Sequence, residues 1–420
     1  MEREIKVGLI CQYPLIRDNP DGVKDNTLGL ANVLRQKGLE PVLIGPYVGE
    51  GVPNEAEETL GRPILRLGKF PLGIGNTEYK MAVTIAVWRA REIFARQSFD
   101  VLDYQEPWAS PPTFLTTLAA RRLISNKPAV VVQFHAYSEK LTPFQRGVKI
   151  VVGESGFTRW IMKNNVDERS GVSEDTNRFW AGLIGEDVNL YEVIPNGIDV
   201  DKFLKEKGGF RDWSKLREQG KKIILSTARH DKRKGFDYGI RAIGKLIKEG
   251  ERRNLLYKLT GRGPETANLE RLVESLGMSE YVEFLGILPE EDLAKAVKNC
   301  DLLVAPSIGA EGTNRSILNG RAAGRMVSAT KIGGQTFAYG DPIVFGEMAE
   351  PSNVDSLAEN ISSFLYLPKE EVDRRADKGL VYVREVFSWD SVGKKKTSQY
   401  ERAIDRRKTN LPKSEVVYRR

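Results

Sequence analysis

Short apolar runs alternate along this chain with stretches whose apolar residues recur at helical spacing, and that alternation predicts its elements. Residues 4 to 12, EIKVGLICQ, form a β-branched strand run, and a polar turn with Pro20, Asp21 and Gly22 follows. NTLGLANVLRQKG then repeats apolar residues on one helical face up to Gly38, and Pro41 to Ile44 reads as the next strand. Strand, helix, strand is the unit of a parallel sheet. The pattern continues through a helix over residues 80 to 97, a strand Val101 to Tyr104, a helix after Pro111, and strands Ala129 to Phe134 and Lys149 to Val152.

A second series opens after the turn-rich segment Pro195, Asn196, Gly197, Ile198 and Asp199. Strands are predicted at Lys222 to Ser226, Leu256 to Thr260, Val282 to Leu285 and Leu302 to Ala305; helices at Gly235 to Glu249, Glu265 to Leu276, Glu290 to Asn299 and after Thr313. Two doubly wound, Rossmann-like α/β domains facing a cleft follow, with ligands at the carboxyl ends of the strands. The length of 420 residues supports two cores rather than one. The expected division is 1–197 and 198–386, then a helix over 387–408 crossing back to the first domain, with Trp389, Val392, Tyr400 and Ile404 packing and a basic outer face, and a frayed tail 409–420.

With 40% apolar and 29% charged residues the composition is that of a water-soluble globular protein, and no run of about 18 apolar residues predicts a membrane span. Met1 to Lys6 leads straight into a strand without an apolar leader, which argues for a cytoplasmic chain. Two cysteines far apart, Cys11 and Cys300, are expected as buried free thiols. The net charge of +7 fits phosphate-bearing ligands or anionic lipid; nucleic acid is disfavoured because no aromatic-basic module accompanies the charge.

The chemistry concentrates at loops after predicted strands. Leu302 to Ala305 runs into a Gly-bearing loop and a helix opening near Thr313, a geometry that offers main-chain N–H groups to an anion around Arg315 and Ser316. Arg229 and Lys234, five apart before Gly235, supply a forked donor and a point charge suited to a diphosphate, a set that calls for no metal ion. Gly261, Gly263 and Pro264 make a sharp turn after another strand. His135 ends a predicted strand, where an open α/β sheet places its site.

These motifs, in this order, resemble glycosyltransferase family 4. Asp21, Gly22 and Val23 fall where that family has a Gly-Gly loop; FDVLDYQEP at 99 to 107, the Gln133, Phe134 and His135 stretch, IPNGIDVDKF at 194 to 203, Arg229 with Lys234, LTGRGPE at 259 to 265, VEFLG at 282 to 286 and FSWDSV at 387 to 392 complete the series. CQYP, DGV and FDVLDYQEP look most like the phosphatidylinositol mannosyltransferases within it. The resemblance implies a B-type glycosyltransferase fold that transfers a hexose from a nucleotide diphosphate sugar, with retention at the anomeric carbon, to a glycan, lipid or small-molecule acceptor on the N-terminal domain. It implies that His135 faces the transferred sugar through its carbonyl or ring, that Glu311 orients the sugar hydroxyls, and that Gly22, Arg229, Lys234, Arg262, Ile287, Arg315, Ser316 and Asn319 surround the donor. Beyond the nucleotide sugar, no cofactor is implied.

The filling departs from the family frame at three points. Asn319 stands where a second Glu would take the ribose hydroxyls, Arg321 replaces a Met, and Thr313 with Asn314 replaces Phe-Gly. An amide at 319 forgoes about 1–2 kcal/mol of charge-assisted bonding, roughly 5- to 30-fold in affinity. A non-catalytic binding or scaffold subunit with a degenerate donor site is the rival reading. Residues 80 to 96, KMAVTIAVWRAREIFAR, with Arg89, Arg91, Arg96 and Trp88, suit either sheet packing or a membrane surface, and Lys394 to Lys396, Arg419 and Arg420 add a lean toward anionic surfaces, so a peripheral or lipid-linked acceptor is a possible partner.

Overall fold

The computed structural model describes residues 4–11, 22–45, 65–66, 83–107, 111–135, 156–249 and 254–409. The expected strand at 149–152, the turn residue Asp21 and the tail beyond 409 lie outside the described residues. The chain divides into two compact units, one running to Gly197 and regaining the C-terminal segment at Trp389, the other spanning Ile198–Ser388.

The first unit is a seven-stranded parallel sheet: β1 Lys6–Cys11, β2 Glu40–Gly45, β3 Leu65–Arg66, β4 Val101–Gln105, β5 Ala129–Phe134, β6 Glu168–Gly171 and β7 Tyr191–Val193, in the order β3-β2-β1-β4-β5-β6-β7. β4 and β5 are buried along their whole length, so both faces are covered and the strands are mainly apolar, interrupted by Asp103, Gln105 and Gln133. Chain order reverses between β1 and β4, which sets a switch point at their carboxyl ends.

β6 carries no such apolar signal. Its residues Glu168, Arg169, Ser170 and Gly171 are nonetheless buried. Arg169 pairs with Glu186 at 2.8 Å, and Glu168 is met by Arg406 at 3.1 Å from the helix Trp389–Thr409. That helix closes the first unit. Val392 and Tyr400 are buried, and the Trp389 ring lies against Gly29 and Gly197, where a Cβ would stand 2.0 and 2.2 Å from it. Its basic face corrects the sequence expectation, because much of it turns inward: Lys396 is fully buried against Asp103 of β4 at 3.1 Å, Lys395 reaches the Val193 carbonyl at 3.3 Å, and Arg402 pairs with Glu192 at 2.6 Å. Burying a cation is costly unless it is paired, and β4, β6 and β7 each supply a carboxylate to this helix.

The second unit is a five-stranded parallel sheet, β8 Lys222–Thr227, β9 Leu255–Thr260, β10 Val282–Gly286, β11 Leu302–Ala305 and β12 Met326–Ala329, in the order β10-β9-β8-β11-β12. Here the order reverses between β8 and β11, and the two central strands are paired directly. The loops that carry Arg229 with Lys234, Gly261 with Gly263, Ile287 and Glu311 follow β8, β9, β10 and β11 at their carboxyl ends. Both cysteines are buried free thiols, and burial pushes the Cys300 thiol up to about 12. Among the described residues no helix is long and apolar enough to cross a membrane.

Candidate functional site

Three loops of the second unit are pressed together at its switch point. The loop after β8 carries Arg229, the turn Lys232–Lys234 and Gly235; the loop after β9 carries Gly261 to Gly263; the loop after β11 carries Ser307 to Asn314. His230 N–H donates to the Arg262 carbonyl at 3.2 Å, and Gly261 N–H to the Gly286 carbonyl at 2.8 Å, so the ends of β8, β9 and β10 are tied in sequence. Gly261 sits at φ +109 with the Ala228 carbonyl 1.9 Å from where a Cβ would stand, so only glycine fits.

Lys234 and Glu311, assigned to phosphate and sugar respectively, meet directly. The Lys234 ammonium donates to Glu311 Oε1 at 2.6 Å, and the Ser307 hydroxyl donates to the same oxygen at 3.1 Å. The loop behind Glu311 is locked by groups the sequence reading passed over. Thr330 donates to the Ser307 carbonyl, Gln335 donates to the Ala305 and Thr330 carbonyls, and Gly334 N–H donates to the Glu311 carbonyl at 3.0 Å. At Gly334 a Cβ would stand 1.8 Å from the Gly312 carbonyl, a close approach that the Gly-Gly pair at 333 and 334 signals in retrospect.

Arg229 is different. Its guanidinium is exposed and makes no hydrogen bond or ion pair among the described residues, so it is open to an incoming anion. Arg262 is likewise exposed at the end of β9, and Ile287, 72% exposed, follows β10. His230, expected only as a neighbour of Arg229, is a buried brace: its ring packs edge-on to Phe236 and Phe284 and its Nδ1 meets Thr266 at 3.0 Å. Burial lowers its pKa.

The helix Arg315–Ala322 opens two residues after Thr313. Asn314 is its cap, accepting from Ser316 N–H at 2.9 Å while its amide donates to Gln335 at 2.6 Å. The Ser316 hydroxyl donates to the Thr227 carbonyl and accepts from the Thr227 hydroxyl. Both donors of Ser316 are therefore spent inside the unit, while Arg315 is exposed at the helix start. Asn319 is half-buried on this helix, and its side chain holds no hydrogen bond among the described residues. Arg321 turns the other way. It is wholly buried with its guanidinium 4.0 Å from the Phe345 ring centre and 4.9 Å from that of Tyr339, and burial pushes it down to about 10. The Met-to-Arg change is a core substitution, and it does not touch the donor loops.

In the first unit Gly22 opens the helix Gly22–Gln36 after β1, with space where a Cβ would lie. His135 follows β5 and is buried, with both ring nitrogens engaged: Nδ1 to Asn196 Oδ1 and Nε2 to Gln105 Oε1, each at 2.8 Å. Burial pushes its pKa down to about 4, opposed by the Asn196 bond and reinforced by the Lys396 charge. A neutral ring carries a single N–H, so one amide must present its nitrogen instead. The Gln105 nitrogen is buried and has no partner among the described residues, and turning that carboxamide over lets it donate to Nε2 while Nδ1–H donates to Asn196. The ring is thus held entirely by its own unit.

The two-unit architecture is that of the B-type glycosyltransferases. A glycosyltransferase from Rickettsia africae superposes with a TM-score of 0.74 at 19% identity, covering 96% of this chain and 99% of that one. The Anabaena protein HepE, solved in complex with UDP, gives 0.73 at 17% identity over 94% and 100%. Sequence narrows the class. The family profile described as Glycosyltransferase Family 4 matches residues 20–202, and that described as Glycosyl transferases group 1 matches residues 210–379. A phosphatidyl-myo-inositol mannosyltransferase of Mycobacterium leprae is 27% identical over 330 residues, 78% of this chain and 79% of that protein. An MMP alpha-(1->4)-mannosyltransferase of Mycolicibacterium hassiacum is 27% identical over 215 residues, 51% of this chain and 49% of its own. The chain belongs to glycosyltransferase family 4.

Proposed function

We propose that the protein moves a hexose from a nucleotide diphosphate sugar, with retention, to an acceptor held by the first unit. The observation that carries this reading is the Lys234–Glu311 pair, with the open Arg229 on the same loop after β8, at the switch point between β8 and β11. A departing nucleoside diphosphate bears two to three negative charges; Arg229 and Lys234 neutralise them, and Arg315 lies at the adjoining helix start. Glu311 exchanges its lysine partner for sugar hydroxyls as the donor enters. The main chain at His135 faces the sugar, since the ring is already occupied on both sides. The burial of Arg321 in the core supports an intact donor site over a degenerate one.

The test is hydrolysis of a panel of nucleotide sugars by the pure protein, read as release of nucleoside diphosphate, beside calorimetric titration with the diphosphates themselves. Asn319→Glu should tighten binding on the order of tenfold, because a carboxylate restores charge-assisted bonds to the ribose. Arg321 leaves room for it by pointing into the core. Failure of every donor to be cleaved, with no diphosphate bound by either form, would establish the scaffold reading instead.

A lipid-linked acceptor at an anionic surface is the finer proposal. The named activity of the mycobacterial relative supports it, as does the helix Val83–Gln97, where Trp88 is 58% exposed beneath the Arg91 guanidinium 5.3 Å away. Trp160, 51% exposed and covered by Arg122 at 5.7 Å, repeats the pairing on a second helix. Sedimentation with phosphatidylglycerol liposomes should fall as salt rises, and should fall further in Trp88→Ala with Arg91→Glu. No sedimentation of the parent at low salt would leave an acceptor in solution, and equal sedimentation of parent and variant would remove Trp88 and Arg91 from the contact.

A further inference from the structure

The end of β4 departs from a regular ladder in a way that reaches His135. Glu106 N–H donates to the Gln133 carbonyl at 2.8 Å, as parallel pairing of β4 with β5 requires. The next bond of that ladder would run from His135 N–H to the main-chain carbonyl of Glu106. Instead Glu106 adopts φ +57, and its own carboxylate takes the bond, Oε2 accepting from His135 N–H at 2.6 Å. A left-handed conformation costs a residue with a Cβ roughly 1 kcal/mol, and a 5% exposed carboxylate is costly as well, so two unfavourable features coincide at one residue.

Both serve one geometry. A side-chain acceptor lets the main chain leave the ladder at Glu106 while keeping His135 anchored, and it replaces a neutral bond with a short charge-assisted one. Gln105 and Asn196 fix the ring of the same residue, and Gln133 donates to the Ile194 carbonyl at 2.9 Å, which steadies the segment that carries Asn196. Every polar group of His135 except its carbonyl is thereby held. We propose that Glu106 is a positioning residue for sugar transfer: its carboxylate fixes the His135 main chain so that the carbonyl meets the reacting sugar in one orientation. This rests on the proposed transferase function.

The chain has two histidines, so labelling with 15N-histidine gives two main-chain amide signals, and the second is an internal reference. His230 N–H donates to a neutral carbonyl at 3.2 Å, so the His135 amide proton is expected downfield of it in the full-length parent. Glu106→Gln keeps an acceptor oxygen without the charge; Glu106→Ala removes both. The His135 amide should move upfield partly in the first and fully in the second, with the His230 amide unmoved. Donor hydrolysis should lose about a hundredfold in kcat in Glu106→Ala at nearly unchanged KM, with Glu106→Gln recovering to within about tenfold of the parent. Nucleoside diphosphate binding, measured by calorimetry, should be the same in all three.

An unmoved amide in Glu106→Ala overturns the hydrogen bond. A moved amide with parental kcat overturns the positioning role. Equal losses in the two variants, or weakened diphosphate binding in either, would mean that the substitution acts through the fold. If the parent binds diphosphate and cleaves no donor, the proposed function fails and this inference fails with it, although the amide shifts still report the bond.

Discussion

Replacing Arg229 and Lys234 together with alanine is expected to weaken nucleoside diphosphate binding by roughly 10²- to 10⁴-fold while barely altering binding of the bare nucleoside. Hydrogen bonds to charged groups contribute about 1.5–3 kcal/mol each, and two are lost. The single variants separate two contributions. Arg229 is exposed and without a partner among the described residues, so Arg229→Ala should leave thermal stability within about 0.5 kcal/mol of the parent. Lys234→Ala also strips Glu311, a buried carboxylate, of its cation, leaving the Ser307 hydroxyl as the partner of that oxygen among the described residues. Its stability should fall, and its diphosphate affinity should be compared with its nucleoside affinity in the same preparation. Equal losses for the two ligands would remove the diphosphate assignment.

The other large effect is expected within the first unit. Lys396→Met should destabilise the chain by about 3–5 kcal/mol, because it leaves the Asp103 carboxylate buried with only the Tyr400 hydroxyl, at 2.7 Å, to meet it. Thermal or denaturant unfolding of the full chain reads this directly. Adding Asp103→Asn should recover most of the loss, since the amide oxygen still accepts from Tyr400 and no charge is stranded. A Lys396→Met protein as stable as the parent would show that the pair is not what docks the C-terminal helix. Failure of the second substitution to rescue would point to the lysine stem rather than its charge.

Both predictions fall on residues whose type was plain in the sequence and whose surroundings were not. HDKRK displayed its charge, but only the folded loops show that Arg229 stands open while Lys234 is already paired. The capping role of Asn314 was within reach, because Asn two residues ahead of a Ser at the start of an apolar helical run is a helix-opening pattern. Arg321 was not. Its position in the family frame suggested a disturbed donor site, and the packing against Tyr339, Phe345 and Gly379 that moves it elsewhere involves residues 18 to 58 positions away.

The sequence by itself determined the alternation that makes two parallel sheets, because β1, β4, β5, β8, β9 and β11 are apolar runs and a strand buried on both faces must be one. It also determined which loops follow which strands, hence the motifs that gather at carboxyl ends. Only the tertiary structure decided β6. ERSG has no periodic or apolar signal, and it is an interior strand between β5 and β7 because Arg406 and Arg402, more than two hundred residues on, bring the cations that make a buried Glu168 tolerable. The same holds for Lys396 and for the cage around His135. A polar residue reads as exposed until its partner arrives, and here the partners come from elements that sequence proximity does not connect.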